Sequence, residues 1–280
     1  MQEHLQLPLA KIRLITRNFN RDHLIGEGGF GEVYKGALGD KLVAVKRLKQ
    51  PETNKTLILS RKGFMREIEV LTKLRHRNIV TLIGWCSEQE EMILVYEYIL
   101  NGTLADHLYG PASNRNPLTW TERLNICIGA CQGLHHLHNT CPGNSVIIHG
   151  DVKSSNILLD ENLVAKVSDF GSAKQIDVDV SETIDSTAGT FSPGYLDPHV
   201  WTTGKYTTAS DVYAFAVLMV EALSGKRACE ESHPQKECKL SDWAIGKIRN
   251  QKGEEIGSLK DAWMKFQRND WNLLRFCVCL

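Results

Sequence analysis

Gly26-Glu27-Gly28-Gly29-Phe30-Gly31-Glu32-Val33 decides the fold through the residues on its C-terminal side. The same glycine spacing opens dinucleotide-binding domains, where a helix starts after the last glycine. Here the chain runs on as Glu32-Val33-Tyr34-Lys35-Gly36, which reads as a strand and argues against that assignment. Outward from this stretch, three further motifs come in order. They are Val43-Ala44-Val45-Lys46, His149-Gly150-Asp151-Val152-Lys153-Ser154-Ser155-Asn156 and Asp169-Phe170-Gly171.

Together the four motifs resemble the protein-kinase set. The resemblance implies a bilobal α+β fold, with a small antiparallel β-sheet N-lobe plus helix C and a mostly helical C-lobe. It implies ATP and Mg2+ as cofactors and protein hydroxyls as substrate. Phosphoryl transfer asks for positioning and charge neutralisation more than covalent chemistry. Gly26, Gly28 and Gly31 would let backbone approach the triphosphate where a side chain would collide. Glu27, Gly29 and Phe30 complete that loop, and Val33, Ala44 and Leu158 would line the nucleotide. Lys46 would meet the α/β-phosphates and needs an acidic partner. On a predicted helix, Phe64, Ile68, Leu71 and Leu74 form one apolar face, which makes Glu67 a better partner than Glu69. The family's helix-C glutamate also falls on Glu67. Asp169 would hold magnesium, Asn156 would give the second metal contact, and Asp151 would accept or orient the hydroxyl proton. Asp151-x-Lys153-x-x-Asn156 looks like the serine/threonine type. Leu71, Leu82, His149 and Phe170 resemble the family's hydrophobic spine.

Further segments narrow the resemblance to plant receptor-like kinases of the Pelle group. They include Leu74-Arg75-His76-Arg77-Asn78-Ile79-Val80, Leu94-Val95-Tyr96-Glu97-Tyr98, Gly194-Tyr195-Leu196-Asp197-Pro198 and Ser210-Asp211-Val212-Tyr213-Ala214-Phe215. The match covers about residues 7 to 255. It makes Tyr96 the gatekeeper and the backbone around Glu97 and Tyr98 the adenine contact. The implied function is serine/threonine phosphorylation in plant signalling or immunity. The alternative is a pseudokinase or decoy that binds nucleotide or protein with little transfer. A receptor or co-kinase is the implied partner, and the implied location is cytoplasmic, at the inner face of the plasma membrane through partners.

Composition agrees with a globular enzyme. The 280 residues are 42% hydrophobic, enough for one large or two modest cores. Thirty-three residues of each charge sign leave no basic field for nucleic acid. No stretch reaches the roughly 18 apolar residues of a membrane span, and Val212 to Val220 reads as a buried helix. The eight cysteines form no C-x-x-C pair, which favours core thiols. His135-His136-Leu137-His138 lacks further ligands at zinc spacing and reads as packing or solvent-facing imidazoles.

The expected organisation is a lead-in over 1–25, an N-lobe over 26–98, a C-lobe over 99–255 and a divergent tail over 256–280. Residues 51–62 read as a loop into helix C. Three departures from the family stand out. Gly150 replaces the arginine that usually pairs with a phosphate on the activation loop, the non-RD pattern, so Ser181, Thr183, Ser186 and Thr187 are not expected to act as on-switches. His199 comes after Pro198 where the family has glutamate, and the late C-lobe reads as shortened. The loop Thr190-Phe191-Ser192-Pro193-Gly194 is about two residues long for the family. Within it, Thr190 resembles the threonine that hydrogen-bonds the aspartate and lysine of the catalytic loop. Cys277-Val278-Cys279-Leu280 fits a prenylation pattern loosely, and a packed apolar tail is the favoured reading.

Overall fold

The computed structural model describes residues 6–29, 31–49, 53–110, 117–139, 145–177, 192–229 and 239–249. The chain divides into two units, Met1–Leu100 with Asp169–Ala173, and Asn101–Ser168 with Lys174–Leu280. Phe30, Ser181, Thr183, Ser186, Thr187, Thr190 and the tail with Cys277 lie outside the described residues.

In the first unit, β1 (Leu24–Gly28), β2 (Gly31–Leu38), β3 (Lys41–Leu48), β4 (Leu82–Cys86) and β5 (Ile93–Glu97) form an antiparallel sheet ordered β1-β2-β3-β5-β4. On β3, Val43 and Val45 alternate with Ala44 and Lys46, so one face is apolar and buried. Tyr34, opposite Val45, belongs to that face. Leu9 and Ile12 of α1 (Leu9–Ile15) pack on it, together with Cys86, Ile93 and Val95. Burial of each of these two side chains contributes roughly 1.5–3 kcal/mol. The lead-in is therefore core, not a tether.

A strained turn comes after α1. Arg17, Asn18 and Phe19 stand at φ 51, 57 and 56, left-handed backbone that costs on the order of 1 kcal/mol per non-glycine residue. The buried Thr16 hydroxyl holds the turn, donating to Ile12 O at 2.8 Å and accepting from Phe19 N at 3.1 Å. The Phe19 ring meets Tyr34 edge-on at 5.5 Å and lies under the Arg47 guanidinium at 4.4 Å.

Helix α2 (Asn54–Lys73) corrects the loop expected over 51–62. Thr53 Oγ1 accepts from Thr56 N and Thr56 Oγ1 accepts from Thr53 N, a capping box that starts the helix before Gly63. Pro51, Thr53, Asn54, Lys55 and the polar run Ser60 to Lys62 are the reason the pattern there suggests a loop, and Gly63 after them lowers helix propensity by about 1 kcal/mol. Its missing side chain has a use: an ideal Cβ would stand 3.4 Å from Gly171 O. Phe64, Ile68, Leu71 and Leu74 are all buried, in agreement with their spacing.

In the second unit, α3 (Leu104–Tyr109), α4 (Trp120–Asn139), α5 (Pro198–Thr203), α6 (Thr208–Ser224) and α7 (Leu240–Arg249) accompany two antiparallel pairs. These are β6 (Ser145–Ile148) with β9 (Lys174–Asp177), and β7 (Ile157–Leu159) with β8 (Ala165–Val167). Helix α4 packs against α6, and Leu104, Ile126, Leu137, Phe215 and Leu218 are buried. The apolar run from Val212 to Val220 lies within α6. That helix ends at Gly225 (φ 70), and Arg123 Nη1 donates to Ala222 O at 2.7 Å. No described helix is long and apolar enough to cross a membrane.

Candidate active site

The first unit assembles one group of candidate residues. Strand pairing sets Lys46 opposite Val33 and Ala44 opposite Tyr96, all on the sheet face away from α1. Lys46 Nζ lies 2.9 Å from Asp169 Oδ1 and 3.4 Å from Glu67 Oε2. Burial alone would lower the Lys46 pKa, but the charges of Asp169 and Glu67 outweigh it and raise the pKa above the ordinary lysine range. Lys46 is therefore a fixed cation. Glu67 is buried, whereas Glu69 is exposed and pairs with Lys73. Glu67 Oε1 also accepts from the Tyr96 hydroxyl at 2.7 Å and from Phe170 N at 3.2 Å. Desolvation, then the Glu67 charge, push the Tyr96 phenol well above its ordinary pKa, so it remains a donor. Asp169 itself adopts φ 67, ψ 74.

The glycines divide into two kinds. Gly31 has φ 148, and a Cβ there would fall 2.2 Å from Arg47 O, so the fold itself demands glycine. At Gly28 and Gly29 a Cβ would meet nothing within 4 Å among the described residues. Those residues give no steric reason for glycine at the two positions, and open backbone there fits close approach by a phosphate chain. Glu97 N donates to Thr81 O at 3.1 Å and Tyr98 N to Leu42 O at 3.4 Å.

The second unit assembles the other group. Lys153 Nζ stands 2.8 Å from Asp151 Oδ2. Asn156 Nδ2 donates to Asp151 O at 2.8 Å and Oδ2 at 3.1 Å, which turns the Asn156 amide oxygen away from Asp151. Ser192 Oγ donates to Asp151 Oδ1 at 2.7 Å and accepts from Lys153 Nζ at 3.0 Å. These are the two contacts expected of Thr190, and Ser192 makes them. Thr190 itself lies outside the described residues, and no local pattern links Ser192 to Asp151. On β7, Leu158 is half-exposed between buried Ile157 and Leu159.

Residues distant in sequence fix this loop. Asp211, buried on α6, accepts from His149 N at 2.7 Å, Gly150 N at 2.8 Å and His138 Nε2 at 2.9 Å. Burial would raise the Asp211 pKa, but the His138 hydrogen bond and charge, then His149 and the Gly150 N–H, hold it below the ordinary range. His138 thus has a defined partner, more specific than the packing role expected for the 135–138 histidines. His149 Nδ1 accepts from Asp151 N at 3.2 Å while Nε2 lies 3.0 Å from Ser168 O, which places its proton on Nε2. Gly150 has φ 77. Its glycine therefore relieves backbone strain as well as removing a cation. Tyr195 donates to Glu221 and accepts from Ser154 N at 3.3 Å, tying the next residue of the loop to α6. Leu71, Leu82, His149 and Phe170 are each at most 1% exposed.

One cluster thus joins a lysine to two carboxylates, and another joins a carboxylate to a lysine, a serine and an asparagine. Known proteins resemble the chain over most of its length. A probable receptor-like protein kinase of Arabidopsis thaliana is 47% identical over 250 residues, covering 89% of this chain and 30% of that protein. The receptor-like protein kinases HERK 1 and THESEUS 1 of the same plant are 47% and 48% identical, covering 86% and 82% of this chain and 28% and 26% of theirs. The chain spans about 30% or less of the length of these relatives. The family described as protein tyrosine and serine/threonine kinase matches residues 19–255. With that span matched and both clusters in place, the chain belongs to the protein tyrosine and serine/threonine kinase family.

Proposed function

We propose that this kinase transfers the γ-phosphate of ATP to serine or threonine hydroxyls of protein substrates with Mg2+. The observation that carries the reading is the Asp151–Lys153–Ser192 cluster, a proton acceptor held within 2.8 Å of a cation. Asp151 takes or orients the hydroxyl proton, and Lys153 faces the transferred phosphate. Lys46, held by Glu67, meets the α/β-phosphates. Gly26, Glu27, Gly28, Gly29, Phe30, Gly31, Val33, Ala44, Tyr96 and Leu158 line the nucleotide, and backbone around Glu97 and Tyr98 meets adenine. Asp169 and Asn156 would hold the metal, which neutralises phosphate charge when bound. Relatives called receptor-like kinases favour a role in plant signalling, with a receptor or co-kinase partner at the inner face of the plasma membrane.

Purified chain incubated with ATP and Mg2+ is expected to phosphorylate itself or a generic protein on serine or threonine. Phosphotyrosine as the main product would overturn the specificity. Nucleotide that raises the melting temperature without any transfer would favour the binding-module reading.

Ser192→Ala is expected to lower kcat about tenfold, because removing two hydrogen bonds frees the Asp151 carboxylate, while Ser192→Thr retains most activity. If Thr190→Ala is the more damaging change, the role returns to Thr190.

A further inference from the structure

Gly63, Arg66 and Glu67 share one face of α2 at i, i+3 and i+4 spacing. All three meet the turn formed by Asp169, Phe170 and Gly171. That turn needs holding, because Asp169 stands in left-handed backbone that a non-glycine residue keeps only where its surroundings impose it. Lys46 draws the Asp169 carboxylate from one side, and Glu67 accepts the Phe170 N–H. The third hold is a side chain no motif contains. Arg66 Nη1 donates to Gly171 O at 3.3 Å. Gly63 makes this possible, since α2 approaches until an ideal Cβ at Gly63 would lie 3.4 Å from the same oxygen. The Arg66 guanidinium is half-buried, and its desolvation outweighs the nearby Glu69 charge to lower its pKa. A cation kept partly out of water against a single carbonyl is a specific contact, unlike a solvated arginine on a helix surface.

We propose that Arg66 is a positioning residue for the metal ligand. By fixing the Gly171 carbonyl it holds the Asp169 backbone, so that the carboxylate stays oriented for a divalent cation. The inference rests on the metal role proposed above for Asp169. It also couples two events: the α2 face that orients Lys46 through Glu67 orients Asp169 through Arg66. Displacement of that helix would release both together.

The test measures ATP affinity of the full chain in EDTA and across a Mg2+ titration, for wild type, Arg66→Met, Arg66→Lys and Asp169→Asn. A hydrogen bond from a charged donor biases held against released turn by about tenfold when buried, and by several-fold at half exposure. Arg66→Met is therefore expected to bind ATP in EDTA within about twofold of wild type, yet to need about fivefold more Mg2+ for half-maximal tightening. Its melting temperature without ligand should stay within about 2 °C, and Arg66→Lys should recover most of the Mg2+ response. An unchanged Mg2+ requirement in Arg66→Met overturns the inference. So does equal weakening with and without Mg2+ alongside a fall in melting temperature, which marks a merely structural contact. If wild type and Asp169→Asn respond to Mg2+ alike, the metal role of Asp169 fails and the inference falls with it. That result is distinct from an Asp169-dependent response that Arg66→Met leaves intact. Should Arg66→Met not fold, Arg66→Gln carries the same measurement.

Discussion

Asp151→Asn is expected to lower phosphate transfer at saturating ATP by roughly a thousandfold, the middle of the range for losing a positioned acid–base group. The asparagine amide matches the carboxylate in shape but cannot take a proton. It also replaces one acceptor oxygen with a donor, where Lys153 Nζ, Ser192 Oγ and Asn156 Nδ2 all approach as donors. The cluster would lose its order along with its charge. The melting temperature should move by no more than about 2–4 °C, since Asp151 is only half-buried and the cost is local. Initial rates and thermal melts on the same preparations check both halves. Transfer above about a tenth of wild type would place the proton acceptor elsewhere.

The second large effect is on folding. Asp211→Ala should destabilise the chain by about 3–5 kcal/mol, because it leaves His149 N, Gly150 N and His138 Nε2 without their acceptor in a buried site. The effect should depend on pH with a definite sign. The folded pKa of Asp211 lies below its ordinary value, so its stabilisation is complete above the unfolded pKa of about 4. It is lost as pH falls through the lower, folded value. Urea midpoints for wild type and Asp211→Ala should therefore differ most near neutrality and converge in acid. A gap that stays constant from neutrality into acid, however far the pH is lowered while the chain stays folded, would mean that the site is held by shape and not by the carboxylate.

Local pattern made much of this chain legible. A strand after glycines and an apolar helix face are each written within a few residues, and they brought out β2, the buried side of α2 and the choice of Glu67 over Glu69. What escaped was either propensity overridden by context or partnership across long separations. The polar run over 51–62 suggested a loop, yet a threonine cap starts the helix within it. His138 and Asp211 stand 73 residues apart, and no periodicity links them. Ser192 stands two residues from the threonine that resemblance favoured, and no local pattern links its hydroxyl to Asp151, 41 residues away. Gly150 was legible as a missing charge but not as a backbone that needs positive φ, which becomes visible only once Asp211 is seen holding it.

The match to the family as a whole begins at residue 19, whereas Leu9 and Ile12 are already inside the sheet's apolar cluster. Leu7 N also donates to Trp85 O at 2.8 Å along β4, the last strand in the sheet. The segment before Phe19 thus shields a greasy surface and blunts an open strand edge, the two features that most readily draw separate polypeptides together. A fragment trimmed to the recognisable region would keep the residues proposed for chemistry and lose its protection against self-association. For this chain, the limit of the family match is a poor guide to where a well-behaved fragment starts.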